Sequence, residues 1–243
     1  IDEHSAIYRK ALKILKEELS EQFLNDGAHF ELSPMYHALA MEDLLDLYQL
    51  KSSLPSSFPN QEIQEKFHRG MNWLHYMSYG NGELAHFNDS ANGISPAFKE
   101  LEDLGIKCGL SGSLNSDIKF NYLRDSGFVV LKNETVHLIA DIGDIGPDYL
   151  PGHAHADSLS FELAIKGKRI IVNSGTGEYG LSQERLSQRS TSAHSTIELD
   201  GKSSSDVWSG FRVAQRARIT EVEICEDDNR IVFAAVHDGY TRI

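Results

Sequence analysis

Apolar residues recur every three or four positions through the first hundred residues, and this spacing predicts a series of amphipathic helices. The first helix is predicted from His4 to Leu24, and Ser33 and Pro34 supply a capping hydroxyl and a first-turn proline for the second. A third helix is predicted for residues 61–77 and a short fourth one for residues 96–104. Helices joined by such long loops are typical of an α/α array.

The hydrophobic period changes to two from Phe120 onward, which predicts short strands. Turn sequences such as Lys166-Gly167-Lys168 separate them, so neighbouring strands are expected to pair as hairpins. The predicted strands are 128–131, 136–140, 159–165, 169–172, 196–199, 211–219 and 231–236. The sequence therefore predicts an α+β multidomain chain, helical over residues 1–110 and an antiparallel β-sandwich over 111–243, divided near residues 108–118.

The chain has a formal net charge of −13, which argues against nucleic acid and anionic membranes as general partners. No apolar run reaches the roughly 18–20 residues of a membrane span, so no spanning helix is expected. The charge is uneven, because residues 166–218 carry nine Lys and Arg against five Asp and Glu. Screening confines each charge to roughly 8–10 Å, so this stretch can either bind an anionic sugar chain or form solvated strand faces.

Two histidines separated by one residue, His153 and His155, directly precede a predicted strand. Side chains alternate in an extended segment, so both imidazoles should point to one side, where they can act on a substrate or a metal. Asn173 ends the next apolar strand, and His194 lies in a stretch rich in Ser and Thr. Two histidines and an oxygen ligand, completed by water, suit zinc. Loop histidines that make ordinary hydrogen bonds are the alternative.

Several stretches carry a more specific signal. They are DGAHFELSPMYHALAMEDLLDLYQL, HFNDSANGISP, GHAHADSLSFELAIKGKRIIVNSGTGEYG, QRSTSAHSTIELDG and VWSGFRVAQRARI. In this order they resemble the heparinase II/III-like family of polysaccharide lyases. The resemblance implies an (α/α) toroid packed on an antiparallel β-sandwich, with a uronic-acid polysaccharide bound between them. It also implies a bacterial protein that is periplasmic or secreted, with a cytoplasmic location left open.

The resemblance also implies a reaction, β-elimination, in which a base removes the C5 proton of a uronate and an acid protonates the departing oxygen on C4. Tyr36 matches the catalytic tyrosine, which acts as base and then acid, and His153 matches the assisting histidine. One uronate must touch both, so they are expected to face a shared cleft. His155, Asn173 and His194 match the metal ligands, although the middle ligand is commonly Asp in the family.

Four further residues are candidates for substrate contacts, each with a structural alternative. His86 and Asn88 lie in the loop after the third helix, where Asn is also common in turns. Arg189 suits a substrate carboxylate or a structural salt bridge, and Trp208 suits sugar stacking or strand packing. The family residue that binds the uronate carboxylate has no match before Tyr36, so the chain is expected to be an internal portion of a longer enzyme.

Three functions stay open at this point. The leading one is a metal-containing lyase that acts on an acidic polysaccharide. The second is a catalytically impaired protein of the same fold that only binds polysaccharide. This function stays open because Asn173 stands where the family commonly has Asp. The third is a metal-dependent hydrolase, since paired histidines also occur there, but that class expects alternating strands and helices. Ultraviolet absorbance separates them, because only elimination creates a conjugated double bond.

Overall fold

The computed structural model describes residues 3–110, 119–227 and 230–241. Four of the five helices in these residues lie in the first part of the chain, where the apolar spacing predicts them. The helices are α1 Ala6–Gln22, α2 Pro34–Gln49, α3 Asn60–Tyr76, α4 Phe98–Lys107 and α5 Gln183–Arg189, with 3-10 turns at Leu50–Ser53 and Thr191–Ala193. None of the helices in the described part of the chain has the length and apolar content needed to cross a membrane.

Hydroxyl side chains fix where three of these helices begin. Ser5, Ser33 and Ser182 each accept a hydrogen bond from the backbone N–H three residues further on, at 3.1, 3.2 and 2.9 Å. Pro34 follows Ser33 as the first residue of α2, where its missing N–H costs no helical hydrogen bond. The predicted start of α2 is therefore confirmed.

The helical part is held by an apolar core between α2 and α3, which α1 and α4 flank. Met41 and Leu45 of α2 and Leu74 of α3 are fully buried in it. His37 of α2 is also fully buried, and its Nε2 hydrogen bonds to the Gly70 carbonyl at 2.9 Å. Burial lowers the pKa of His37 to about 3, so this histidine is neutral and has a structural place beside Tyr36.

A five-stranded antiparallel sheet follows the helices, with its strands in sequence order, and two separate hairpins complete the described strands. The sheet comprises β1 Phe120–Leu123, β2 Phe128–Lys132, β3 Val136–Asp141, β4 Phe161–Ile165 and β5 Lys168–Ile171. The hairpins are β6 Val207–Trp208 with β7 Arg212–Val213, and β8 Ile219–Glu226 with β9 Ile231–His237. Helices followed by antiparallel strands make the chain α+β. Most of the predicted boundary, residues 111–118, lies outside the described residues.

The segment between β5 and β8 differs from the prediction of strands at 196–199 and 211–219. Residues 196–199 make only one isolated bridge, and within 211–219 only Arg212–Val213 and the first residue of β8 are strand. Hydroxyl groups explain the first difference, as the Thr196 side chain donates to the Ser158 carbonyl at 3.0 Å. Such bonds from side chain to backbone compete with a strand ladder.

Helices and strands share a second apolar core, because the five-stranded sheet packs against α3 and the loop after it. Trp73 of α3 is fully buried, with its ring centroid 5.9 Å from that of Phe128 on β2 and 4.6 Å from that of His37 on α2. Its indole Nε1 donates to Ser126 Oγ at 3.1 Å. Phe87 contacts the same Phe128 ring at 5.0 Å. This core, together with the contact of His37 with Trp73, fixes α2 relative to the sheet.

A glycine at the turn between β1 and β2 allows two chain segments to touch. Gly127 has a φ of +76°, and a Cβ on it would lie 2.2 Å from the Cα of Gly143. Gly82 also has a positive φ, +88°, but a Cβ there would meet nothing within 4 Å.

We expect Gly127→Ala to lower the free energy of unfolding by roughly 1–3 kcal/mol more than Gly82→Ala, because overpacking adds to the backbone strain that both variants share. Denaturant unfolding of the two variants and the parent protein measures this difference. Equal losses in the two variants would show that the approach of Gly127 to Gly143 is not tight.

Candidate active site

Tyr36, the predicted catalytic tyrosine, lies in the first turn of α2, and its side chain is half-buried. Its ring contacts that of His153, from the loop between β3 and β4, with centroids 4.1 Å apart and an interplanar angle of 38°. The structure thus brings the two predicted catalytic residues together. A sugar ring inserted between the two rings would need a van der Waals contact on each of its faces, which requires a separation of about 7 Å between the ring centroids. A substrate that touches both therefore approaches them from the same side.

A buried carboxylate, Asp89, joins the residues around this contact. Its two oxygens bind His153 Nδ1 at 2.9 Å and His155 Nε2 at 2.8 Å, and Thr176 Oγ1 donates to it at 2.7 Å. Arg185 binds both oxygens through Nη1 and Nη2. Burial alone would raise the pKa of Asp89, but the hydrogen bonds from His153, His155 and Arg185 outweigh it and hold that pKa well below its ordinary value.

His153 and His155 were expected on one side of an extended segment. Both rings bind the same carboxylate, but His153 lies in a turn closed by the hydrogen bond from Ala154 N to the Pro151 carbonyl at 3.3 Å. Neither the burial of Asp89 nor its pairing with Arg185 was predicted from the sequence. Both side chains are fully buried. The local sequence around Asp89 is typical of an exposed turn, and the partner that compensates its charge is 96 positions further along the chain.

The backbone around Asp89 connects α2 to the loop of the two histidines. Asn88 has a φ of +55°, a conformation that Asn tolerates, and its Nδ2 donates to the Leu32 carbonyl at 3.0 Å. Its Oδ1 accepts from His155 N at 3.1 Å, and Asp89 N donates to the His153 carbonyl at 3.1 Å. Asn88 is 4% exposed, so its amide serves these internal bonds instead of the predicted substrate contact.

His86 is half-buried beside the site rather than in its open part. A Cβ on Gly175 would lie 3.1 Å from the His86 Nδ1, so the ring packs against that glycine. The backbone N–H of His86 donates to Glu162 Oε1 at 2.9 Å, and the same carboxylate accepts from Asn173 N at 3.1 Å. Glu162 thereby connects this part of the loop after α3 to the end of β5.

His155 and His194, two of the predicted metal ligands, face each other inside the protein. The distance from His155 Nδ1 to His194 Nε2 is 3.2 Å, and His155 is fully buried. The Asn173 amide lies close by, because its Oδ1 accepts from Ser195 N at 3.0 Å and its Nδ2 donates to Ser160 Oγ at 3.3 Å. The structure gathers all three residues in one buried region, although the hydrogen bonds of the Asn173 side-chain amide are to serines.

The donor set of this histidine pair fits a divalent cation. The Nε2–H of His155 donates a hydrogen bond to Asp89. In the neutral ring the lone pair is therefore on Nδ1, which faces His194. Burial, with His155 nearby, lowers the pKa of His194 well below its ordinary value, so the His194 ring is neutral. Two tetrahedral zinc ligands at about 2.0–2.1 Å lie roughly 3.3 Å apart, which matches the observed separation. Among the described residues, no three His, Cys, Asp or Glu side chains are grouped around a metal position.

Aromatic side chains surround the exposed edge of His153. The hydroxyl groups of Tyr36 and Tyr179 are 2.8 Å apart, and the Tyr179 ring lies 5.4 Å from that of Phe211. Phe211 also meets the His153 ring edge-on at 5.9 Å. Trp208 is 55% exposed on β6. Trp208 was predicted as a sugar-stacking candidate, whereas Phe211 was predicted only as part of a strand.

Arg189 is fully buried, which does not support its predicted contact with a substrate carboxylate. Its Nε and Nη2 donate to the Ala154 carbonyl at 3.1 and 2.8 Å, and its Nη1 donates to the Ser209 carbonyl at 3.3 Å. Burial and the nearby Arg185 lower the pKa of Arg189 to about 10. The guanidinium therefore holds the backbone of Ala154, the residue between His153 and His155, in place.

We expect Arg189→Lys to lower the free energy of unfolding by about 1–3 kcal/mol, because a lysine cannot replace the donors to two buried carbonyls. In a chain of this size each kcal/mol corresponds to roughly 2–4 °C in Tm. Arg230→Lys is the matched control, since the Arg230 side chain is exposed and pairs only at the surface with Asp227. Thermal unfolding makes the comparison. An unchanged Tm with weakened polysaccharide binding would return Arg189 to a substrate-binding role.

Comparison with known proteins gives two similar curated relatives. A heparin-sulfate lyase from Bacteroides stercoris is 25% identical over 219 residues, which is 82% of this chain and 32% of that protein. A heparin-sulfate lyase from Pedobacter heparinus is 26% identical over 218 residues, which is 79% of this chain and 32% of that protein. The chain thus spans about a third of the length of these relatives.

Solved structures share the fold. A heparinase III structure is 22% identical with a TM-score of 0.75, over 97% of this chain and 38% of that one. The heparan sulfate lyase HepC from Pedobacter heparinus is 22% identical with a TM-score of 0.70, over the same shares of the two chains. The heparinase II/III N-terminus model matches residues 3–102, and the heparinase II/III-like C-terminal model matches residues 116–243. Because the second match alone covers more than half of the chain, this protein belongs to the heparinase II/III-like family.

Proposed function

We propose that this chain carries the catalytic centre of a polysaccharide lyase that cleaves uronic-acid-containing glycans by β-elimination. The contact between Tyr36 and His153 is the observation that carries the proposal, because it joins a phenol and an imidazole at the edge of an aromatic-lined site. The relatives named heparin-sulfate lyases support a glycosaminoglycan as the substrate class. Since the chain spans about a third of those proteins, the activity of the whole protein belongs to the proposal too.

The proposed reaction assigns two proton transfers to Tyr36. Its phenolate oxygen takes the C5 proton of the uronate, and the electron pair left on C5 forms the double bond to C4. The bond from C4 to the glycosidic oxygen breaks, and the phenol of Tyr36 then returns the proton to that oxygen. Because base and acid are one atom, both events occur on the same side of the sugar, which agrees with a substrate that approaches the contacting Tyr36 and His153 rings from one side.

His153 assists by binding the substrate beside Tyr36. Asp89 holds its Nδ1 at 2.9 Å, so the ring orientation is fixed and Nε2 is the nitrogen left for a uronate oxygen. Glu31 lies 3.8 Å from this Nε2. Burial and the nearby Asp89 raise the pKa of Glu31, although His153 opposes them. The raised pKa reduces the repulsion between Glu31 and an anionic sugar.

We further propose that a divalent cation, most simply zinc, binds between His155 and His194 with Asn173 nearby. When bound, the cation supplies a fixed positive charge and a rigid link between the loop before β4 and the segment after α5. The neutral oxygen of Asn173 makes this a weaker site than one with a carboxylate.

At the level of the fold, α1–α4 are proposed to form part of a toroid and the strands part of a β-sandwich.

Tyr36→Phe should reduce elimination roughly 10²–10⁴-fold, because it removes the group that transfers the proton. Folding should be unchanged, since only one half-buried hydroxyl is lost. Absorbance of the conjugated double bond, measured on uronate polymers with the intact natural protein, gives the rate. Tyr149→Phe is the control, because Tyr149 is 63% exposed and its hydroxyl binds Glu21 away from the site. A protein that binds the polymer without forming a double bond would instead be a binding protein of this fold.

Protein purified without chelator should contain about one divalent ion per chain, and His194→Ala should lose both the ion and part of the thermal stability, because metal binding adds to folding free energy. Asn173→Asp should retain the ion at higher chelator concentration than the parent protein. Metal analysis and thermal unfolding test this together. Absence of bound metal, with no stabilisation by added zinc, would reject the cation and leave the two histidines as a hydrogen-bonded pair.

A further inference from the structure

Two tyrosine hydroxyl groups meet at the candidate site from distant parts of the chain. Tyr36 comes from the first turn of α2 and Tyr179 from the loop between β5 and α5, 143 positions later, and their oxygens are 2.8 Å apart. At this distance one proton lies between the two oxygens. The chemistry of the pair therefore depends on which tyrosine donates.

The surroundings of Tyr179 favour it as the donor. Its burial, the hydrogen bond with Tyr36 and the charge of Asp89 raise the pKa of Tyr179 well above the ordinary value, although Arg185 opposes this. A phenol that keeps its proton at high pH donates the hydrogen bond to its neighbour. The charged and titratable groups facing the pair are Asp89 from the loop after α3, Arg185 from α5 and His153 from the loop before β4, with Glu31 beyond His153.

The ring of Tyr179 is held in place from its buried side. The guanidinium of Arg185 lies 5.0 Å from the Tyr179 ring centroid and 5.4 Å from that of Phe211. Arg185 is itself fixed by Asp89 and donates through Nε to the Gly210 carbonyl at 3.0 Å. One face of the half-exposed Tyr179 ring therefore rests on a buried, fixed guanidinium, which is present without substrate.

We propose that Tyr179 is a positioning residue whose hydroxyl donates a hydrogen bond to the Tyr36 oxygen and makes Tyr36, of the two, the tyrosine that accepts the C5 proton. This inference rests on the proposed role of Tyr36. The O–H bond of Tyr179 is not broken in the reaction. The proton passes from C5 to the Tyr36 oxygen and then to the departing glycosidic oxygen, while the hydrogen bond from Tyr179 is strongest to the phenolate.

Tyr179→Phe tests the proposal without substrate, because it keeps the ring and removes only the hydroxyl. NMR of protein labelled with ¹³C at the tyrosine ring carbon that bears the hydroxyl follows each ionisation, and Tyr36→Phe identifies the Tyr36 signal. The midpoint of the Tyr36 ionisation should move to higher pH by about one unit in Tyr179→Phe, the size expected for a lost hydrogen bond to a charged group. Tyr149→Phe should leave it in place. An unchanged midpoint in Tyr179→Phe overturns the proposal.

Kinetics on the intact natural protein separate positioning from sugar stacking. If Tyr179 positions the Tyr36 oxygen, Tyr179→Phe should lower kcat about tenfold and leave KM within about twofold. A stacking platform needs only the ring, so it would leave Tyr179→Phe at the parent rate and raise KM in Tyr179→Ala, which would overturn the proposal. A parent protein that forms no double bond would refute the proposed lyase function, and the NMR titration would still decide the hydrogen bond between the two tyrosines.

Discussion

A negative charge that is fully removed from water must be compensated by nearby donors. At Asp89 those donors come from the loop before β4, from Thr176 after β5 and from Arg185 in α5. Arg185, His153 and His155 all bind the same carboxylate. Leaving such a charge without a partner costs roughly 3–5 kcal/mol, so these segments are held to one arrangement. The tyrosine–histidine contact, the histidine pair and the aromatic edge each depend on a residue that Asp89 fixes.

Local patterns were sufficient to predict the elements that present the site. Helical spacing and a Ser-Pro start predicted α2, and therefore where Tyr36 leaves the backbone. The spacing of His153 and His155 predicted that both rings reach one site, and both bind Asp89, although a turn at His153 replaces the expected extended backbone. Antiparallel strands followed from hairpin turns and a period of two. In each case the physical cause lies within a few residues of its effect, so one sequence contains the whole signal.

What the sequence did not reveal depends on contacts across long separations. Asp89 stands in a sequence typical of exposed turns. Its burial depends on Arg185, which binds it from 96 positions further along the chain. Arg189 was expected to pair with a carboxylate, either of the substrate or of the protein, but its donors bind two backbone carbonyls, which no sequence pattern reveals. The strand predicted at residues 196–199 failed because a hydroxyl side chain binds the backbone nearby. No local pattern records which partner a polar group will meet.

The core that Trp73 shares between α3 and the five-stranded sheet has a consequence for how the site responds to heat. Tyr36 lies on α2, which meets this core where the His37 ring contacts Trp73, and His153 lies in the loop between β3 and β4, whose Ile139 and Ala164 are buried in the same core. Unfolding of either part would disturb the core that supports the other, so the two are expected to melt as one cooperative unit. The site is then either assembled or lost with the fold, and warming should abolish it sharply instead of loosening it by degrees.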